Sequence, residues 1–386
     1  MMSDLAADHA ASLVAMRREL HMYPELAFEE HRTSKLVAEE LSRLGFHVTT
    51  GVSGTGVVGT LVQGTSRRSI AVRADMDALP IHETTGLDYA SRTPGKMHAC
   101  GHDGHTTMLL GLARHMSGTK KFDGTVHLIF QPAEEDISGA KRMVDEGLFK
   151  KFPADFVFAV HNIPGNAVGE ITLRPGAITA SIDIVDVVIR GQGGHGAFPH
   201  QARDPVVAAA SAISALQTAV SRTIDPLEPA AVTVGAIHGG VLATAIPDHV
   251  ALKIGVRTCS MQVRDLLAER IPALLRHQAE SFGCTAEVDY GVGITYPPCI
   301  NDSAATKLVR DVALKMGNDP KNIDMPGPYM FAEDFSFMLQ QVPGCYFGMG
   351  NGSSCNLHDS GYDFNDELLV SGTKFWARLV EAALPA

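Results

Sequence analysis

The stretch Ser69-Ile-Ala-Val-Arg-Ala-Asp-Met-Asp77 decides the fold class. Its first four residues form a short apolar run, which reads as a buried strand, and the run ends in two carboxylates, Asp75 and Asp77, at i and i+2. In open α/β sheets, ligands bind just outside the carboxyl ends of the strands. The same design recurs downstream. Residues 124–130 read as the next strand and deliver Gln131-Pro-Ala-Glu134-Glu135-Asp136 at its end. Residues 156–160 form another apolar strand, ending in His161-Asn-Ile-Pro164. Helical patterns over 106–115 and 139–148 lie between them. Strands that alternate with helices and end in polar residues predict an α/β domain, its central sheet mostly parallel, with helices on both faces.

Between the first two of these strands lies Met97-His-Ala-Cys-Gly-His-Asp-Gly-His105, which puts a thiol, three imidazoles and a carboxylate within nine residues. If the segment is extended, Cys100 and His102 point to the same side and can share a metal ion as thiolate and neutral imidazole. A lone Cys-x-His is more often a polar loop. The adjacent Glu134 and Glu135, with His161 and His358 at strand ends or turns, favour a metal site. Neighbouring glutamates at a strand end diverge, so one can bind metal while the other accepts a proton from water. Five ligands suit two ions better than one, and metal so held would polarise a carbonyl and activate water. A cysteine hydrolase with Cys100 as nucleophile would leave Glu135, His161 and His358 without a task. A non-catalytic binding module would not need the base.

Outward from this core, helices are expected from Ser3 to about residue 21 and over 31–44, with Pro24 between them, followed by Val/Thr-rich strands through Val62. Two glycine clusters, Gly54-Thr-Gly56-Val-Val-Gly59 and Gly191-Gln-Gly193-Gly-His-Gly196, match a dinucleotide-binding fingerprint, but no helix opens at either. After Gly176 the order becomes strand (182–189), loop, Ala-rich helix (205–221), strands (231–237 and 250–256), helix (261–282) and strand (285–290). That β-α-β-β-α-β series is the ferredoxin-like arrangement, read as an inserted α+β domain over 179–292. The metal-bearing α/β domain then comprises 1–178 and 293–386, closing with a helix over 304–316, a strand at 345–348 and a helix from about Asp366.

The 386 residues and 45% hydrophobic content suit two cores. With 32 Lys+Arg against 43 Asp+Glu the formal charge is -11 and no basic run stands out, which argues against nucleic acid as a partner. No stretch has transmembrane length and the first ten residues lack the pattern of a signal peptide, so a cytoplasmic location without membrane attachment is expected. Six scattered cysteines predict no disulfide framework.

From Arg18-Glu-Leu-His21 and Pro24-Glu-Leu through the Cys-His and Glu-Glu motifs to Asp363-Phe-Asn-Asp-Glu367, the chain resembles the M20 metallopeptidase family. It is most similar to the amidohydrolase branch that holds hippurate hydrolases, N-acyl-amino-acid amidohydrolases and auxin-conjugate hydrolases. The resemblance implies metal ligands at Cys100, His102, Glu135, His161 and His358, with Glu134 as general base and Asp77 supporting the metal shell. It implies one or two divalent ions, manganese or zinc, with cobalt or nickel as further options. The inserted domain would be a lid and dimerisation domain, its His195 stabilising the oxyanion and Arg257 holding the substrate carboxylate. Thr244 departs from the pattern, since that position usually carries Asn and the substrate contact loses an amide. The implied reaction is hydrolysis of N-acyl amino acids, hippurate-like or N-acetylated, by a metal-activated water in a homodimer. The alternatives are a dipeptidase or carboxypeptidase of the same family and a non-catalytic metal-binding homologue.

Overall fold

The computed structural model describes residues 7–137 and 139–386. The chain divides into two compact units, one of Met1–Ile178, Ile300–Gly327 and Asp334–Ala386, the other of Thr179–Cys299 and Pro328–Glu333.

A seven-stranded sheet organises the first unit. Its order is His47–Val52, Gly56–Gln63, Gly124–Gln131, Ser69–Asp75, Phe156–Pro164, Gly344–Gly352, Ile171–Thr172. The strands from Gly124–Gln131 to Gly344–Gly352 are mutually parallel, and antiparallel partners flank them. Alternate residues decide which face each side chain joins. Ile70, Val72 and Ala74, with Val126, Leu128, Phe130, Phe158, Val160 and Phe347, enter one core with Leu13, Leu109, Leu112, Val309, Phe375 and Trp376 from the helices. Those helices are Ala7–Met22, His102–Thr119, Ser303–Lys315 and Glu367–Ala383. The residues in between carry polar groups to the opposite face. There Arg73 is fully buried, with Nε donating to Gln131 Oε1 at 2.7 Å and its guanidinium 2.6 Å from Asp75 and 3.1 Å from Asp334. A buried cation of this kind is tolerable only because carboxylates and an amide surround it. The register sets Asp75 beside Gln131 and His161 beside Gly348, so the polar strand ends share one edge of the sheet.

Several boundaries differ from the sequence expectation. The helix expected over 106–115 starts at His102. The one expected over 139–148 is two short helices, Gly139–Asp145 and Leu148–Lys151, because Gly147 adopts a left-handed φ of 84°. The first helix is described from Ala7, and its expected start at Ser3 lies outside the described residues. The cluster at Gly54–Gly59 is a hairpin turn running into the strand Gly56–Gln63.

The second unit is a four-stranded antiparallel sheet in the order Ala230–His238, His249–Thr258, Ile182–Arg190, Thr285–Tyr296. Two helices cover one face. Ala208, Ala212 and Leu216 come from one, Leu267, Ile271 and Leu275 from the other, against Val185, Val187, Leu252 and Ile254 of the sheet. Asp204 and Ser260 cap these helices by accepting the first free N–H groups. The last strand runs past Tyr290 to Tyr296, with an irregularity between Tyr290 and Thr295. No helix of the described residues is long and apolar enough to cross a membrane.

Candidate metal centre

Cys100 and His102 are not successive same-side residues of an extended segment. Gly101 between them has φ 95° and caps the helix that His102 begins. A Cβ on Gly101 would lie 2.4 Å from Asn162 Oδ1 and 2.7 Å from Tyr362 Oη, so the turn demands glycine twice, for its backbone and for its space. The convergence expected from a strand is thus produced by a left-handed turn. Cys100 Sγ lies 3.3 Å from His161 Nε2, and donor atoms of Cys100, His102 and His161 all fall within 4.8 Å of one another.

The hydrogen bonds orient each imidazole. His102 Nδ1 lies 2.9 Å from the Asp77 carbonyl oxygen, which can only accept, so Nδ1 is the donor there and Nε2 is the ring nitrogen left to face a ligand. That Nε2 is buried with no hydrogen-bond partner. His161 repeats the arrangement, its Nδ1 donating to Asn162 O at 2.9 Å while Nε2 faces the thiol. Backbone carbonyls that fix the tautomer in this way are what metal-binding histidines require.

The two glutamates do not sit at diverging strand positions. They open the short helix Glu134–Ile137 directly after Ala133, whose φ is 53°. Successive helical residues are about 100° apart, and that angle separates their carboxylates. Glu135 donates its N–H to Asp77 Oδ2 at 3.0 Å, while its Oε1 is buried without a hydrogen bond, 3.8 Å from His102 Nε2 and 3.3 Å from His358 Nε2. Glu134 is 8% exposed and accepts the Asp334 N–H at 3.5 Å. His358 enters from a loop with φ 65°, its N–H donating to Ala99 O at 2.8 Å. Glu135 and His358 come within 4.8 Å of Cys100, as Glu134 and Glu135 do of His102.

Burial and neighbouring charges act on the thiol and imidazoles of the cluster. Burial, then the carboxylates of Glu135 and Glu134, pushes the Cys100 thiol well above its usual range. Burial disfavours a charged His102, yet Asp75 and Asp77 outweigh it and lift the imidazole to about 10. Burial and neighbouring His105 push His161 down. The Glu135 carboxylate, 3.3 Å from its Nε2, raises His358. The orphaned Nε2 of His102 and Oε1 of Glu135, together with a thiol, imidazoles and carboxylates, fit one or two divalent ions.

Some participants were not assigned from the sequence. His105 Nδ1 lies 2.6 Å from Asp75 Oδ1 and its Nε2 2.7 Å from Asn162 Oδ1, while Asn162 Nδ2 donates to Tyr362 Oη at 2.5 Å. Arg17 and His21 reach Asp103, next to His102, at 3.0 and 2.8 Å. The available signal was the i, i+3 spacing of His102 and His105, which places both on one helical face.

In the second unit, Gly194–His195 pairs with Ala245–Ile246, and the Gly196 N–H donates to Thr244 O at 2.8 Å. His195 and Thr244 are therefore neighbours. His195 is exposed and its Nδ1 accepts the Ala197 N–H at 3.1 Å. Arg257, half-buried, donates to Met330 O at 3.0 Å.

Comparison with known proteins follows the same line. The model of peptidase family M20/M25/M40 matches residues 71–382. A hippurate hydrolase of Campylobacter jejuni is 40% identical over 365 residues, 94% of each chain. An N-acetyl-L-cysteine deacetylase of Bacillus subtilis is 38% identical over 94% of this chain and 86% of its own. A crystal structure of a Bacillus subtilis protein, described as a dinuclear metal-binding peptidase of family M20, superposes with a TM-score of 0.84 at 30% identity, covering 97% of this chain and 98% of that one.

Proposed function

Because the chain belongs to peptidase family M20/M25/M40 and is a metal-dependent amide hydrolase, we propose that its substrates are N-acyl amino acids, cleaved to a carboxylic acid and a free amino acid. One observation carries this reading. Cys100, His102, His161, Glu135 and His358 bring donor atoms together in overlapping groups within 4.8 Å, His102 Nε2 and Glu135 Oε1 among them without a hydrogen bond, and a second carboxylate, Glu134, joins the group of His102 and Glu135. Cys100, His102, Glu135, His161 and His358 would hold the metal, manganese or zinc, as one ion or two. When bound, the metal polarises the acyl carbonyl and lowers the pKa of water.

Glu134 takes the proton of the attacking water and passes it to the departing amine, the work of a general base that then becomes a general acid. Asp77 positions two ligands at once, through its carbonyl to His102 and its carboxylate to the Glu135 N–H. His195 would stabilise the developing oxyanion and Arg257 would hold the substrate carboxylate. Thr244, beside His195, offers a shorter hydrogen-bonding group to the substrate than an amide would. A cysteine nucleophile at Cys100 is disfavoured, because burial and two carboxylates push its thiol up when a nucleophile needs it lowered.

The test is turnover of N-benzoyl, N-acetyl and longer-acyl amino acids before and after chelation. Activity that disappears with EDTA and returns with manganese, zinc or cobalt supports the reading. Activity indifferent to chelation, or no turnover of any N-acyl amino acid by metal-loaded protein, refutes it.

A further inference from the structure

Glu30 is fully buried, and its carboxylate ignores the helix it precedes. It occupies the N-cap position of helix His31–Arg43, where a carboxylate ordinarily accepts the first free N–H groups. Glu25 does that instead, taking the Arg32 N–H at 2.9 Å and the Thr33 N–H at 2.8 Å. Glu30 turns inward. Its Oε2 accepts the Thr55 hydroxyl at 2.5 Å and its Oε1 accepts the Ala133 N–H at 2.9 Å.

Ala133 immediately precedes Glu134. It is buried and left-handed at φ 53°, a conformation that a residue with a Cβ adopts only when its surroundings impose it. The far side of the turn is closed as tightly. The Gly139 N–H donates to Ala133 O at 2.9 Å, and a Cβ on Gly139 would lie 1.7 Å from Pro132 O. Main-chain N–H groups along this segment therefore end on three carboxylates: Ala133 on Glu30, Glu135 on Asp77, and Ala140 on Asp334. Asp77 belongs to the proposed metal shell and Asp334 pairs with Arg73. Glu30 touches neither.

We infer that Glu30 is a positioning residue for Glu134: by accepting the Ala133 N–H it holds the left-handed turn from which the proton-accepting carboxylate departs. The inference rests on the assignment of Glu134 as general base. A carboxylate is a costly choice for a purely structural acceptor in this place. Burial, with the charge of Asp77 adding to it, lifts the Glu30 carboxyl to about 7 although the Thr55 hydroxyl works the other way. A buried acid with, among the described residues, two side-chain or main-chain donors and no partner cation costs stability, and such groups concentrate where geometry serves chemistry.

The experiment compares Glu30→Ala, Glu30→Gln, Thr55→Val and Glu134→Gln in metal-loaded protein, recording kcat, KM, metal per folded molecule and Tm for each. Glu30→Ala loses the acceptor of the Ala133 N–H, and kcat should fall on the order of 10- to 100-fold, as expected for a misplaced catalytic group, with KM within about twofold. Metal content should stay at the wild-type level. Glu30→Gln keeps an oxygen for the Ala133 N–H and should recover most of the lost kcat. Thr55→Val removes the hydroxyl that aims Glu30, and should show a smaller loss with the same split between kcat and KM. It serves as the deciding variant if Glu30→Ala does not fold.

Wild-type kcat in folded, metal-replete Glu30→Ala, or in Thr55→Val where that variant decides, overturns the inference. So does a Glu30→Gln variant as impaired as Glu30→Ala, or loss of metal in either. Should Glu134→Gln turn over like wild type, the assignment of the base fails instead. A crippled Glu134→Gln beside an unaffected Glu30→Ala refutes only the role of Glu30.

Discussion

Glu134 and Glu135 are adjacent in sequence, yet their environments differ, as the separate tasks proposed for them require. Glu135 presents an orphaned oxygen to His102 and His358, whereas Glu134 accepts the Asp334 N–H from the side. Replacing Glu134 by Gln should leave metal content and Tm near wild type and lower kcat by a factor on the order of hundreds, because an amide cannot take the proton of water. Metal analysis beside steady-state kinetics checks this, and metal loss would mean that the two roles are exchanged. Cys100 sets a second expectation. Burial, then Glu135 and Glu134, holds its thiol well above the usual range, so a metal must displace a proton to use it. Occupancy should therefore rise with pH and fall on acidification, more steeply than in Cys100→Ser, as equilibrium dialysis across about pH 6 to 8 would record. The residue types that gather here were legible in the sequence because few other arrangements place a thiol, imidazoles and paired acids at strand ends. The geometry that gathers them was not. The sequence predicts extended backbone at Cys100 and Glu134, but both sites use left-handed turns, at Gly101 and Ala133, which side-chain periodicity does not report.

At the scale of elements, the helix His102–Thr119 ties the site to the rest of its unit. Gly101→Ala would force a Cβ into Asn162 and Tyr362 and strain a φ of 95°. A loss of roughly 2 to 4 kcal/mol in unfolding free energy, with reduced metal retention, is expected and can be read from urea titration and metal analysis. Next to the turn, Asp103 is held by Arg17 and His21, both buried. Burial disfavours a charged His21, but hydrogen bonds to Asp103 and Glu83 outweigh it and lift the imidazole to about 9. A folded value above the unfolded one stabilises fully below about pH 6.5 and ceases to do so as the pH rises through 9. Asp103 behaves oppositely. Burial works against its charge, Arg17 and His21 prevail, and its carboxyl lies far below the usual range, so its contribution is lost as acid protonates it. Stability should accordingly be greatest between about pH 4 and 6.5 and decline towards pH 9 by at most roughly 3 kcal/mol from His21. The decline should flatten in His21→Gln, and denaturant midpoints measured across that range check it. The strands of the parallel sheet were readable because they are apolar runs ending in polar clusters. Helix ends were less so, since Gly147 and Gly101 act through φ and not through hydrophobic pattern.

For the whole molecule, the second unit supplies the remaining argument. Among the described residues, strand Ala230–His238 is an edge strand paired only with His249–Thr258, and its end is followed by Val241 and Leu242, 99% and 66% exposed. An unpaired edge beside exposed apolar residues is the kind of surface that a second copy can cover. The proposed homodimer would form there, with His195 of each protomer serving the other's site. If so, His195→Ala and Glu134→Gln, each inactive alone, complement one another when subunits exchange. A mixed dimer keeps one site with Glu134 from one chain and His195 from the other, while its second site lacks both. Equal mixing should restore about a quarter of wild-type activity, since half the dimers are mixed and half their sites are intact. Loss of one oxyanion donor costs roughly two to three decades in rate, so a quarter of full activity would stand far above either parent. Exchange itself can be followed by mass difference between labelled and unlabelled chains. Complete exchange without recovery would place His195 in its own chain's site or outside the chemistry altogether, and a monomer at catalytic concentrations would remove the shared site outright.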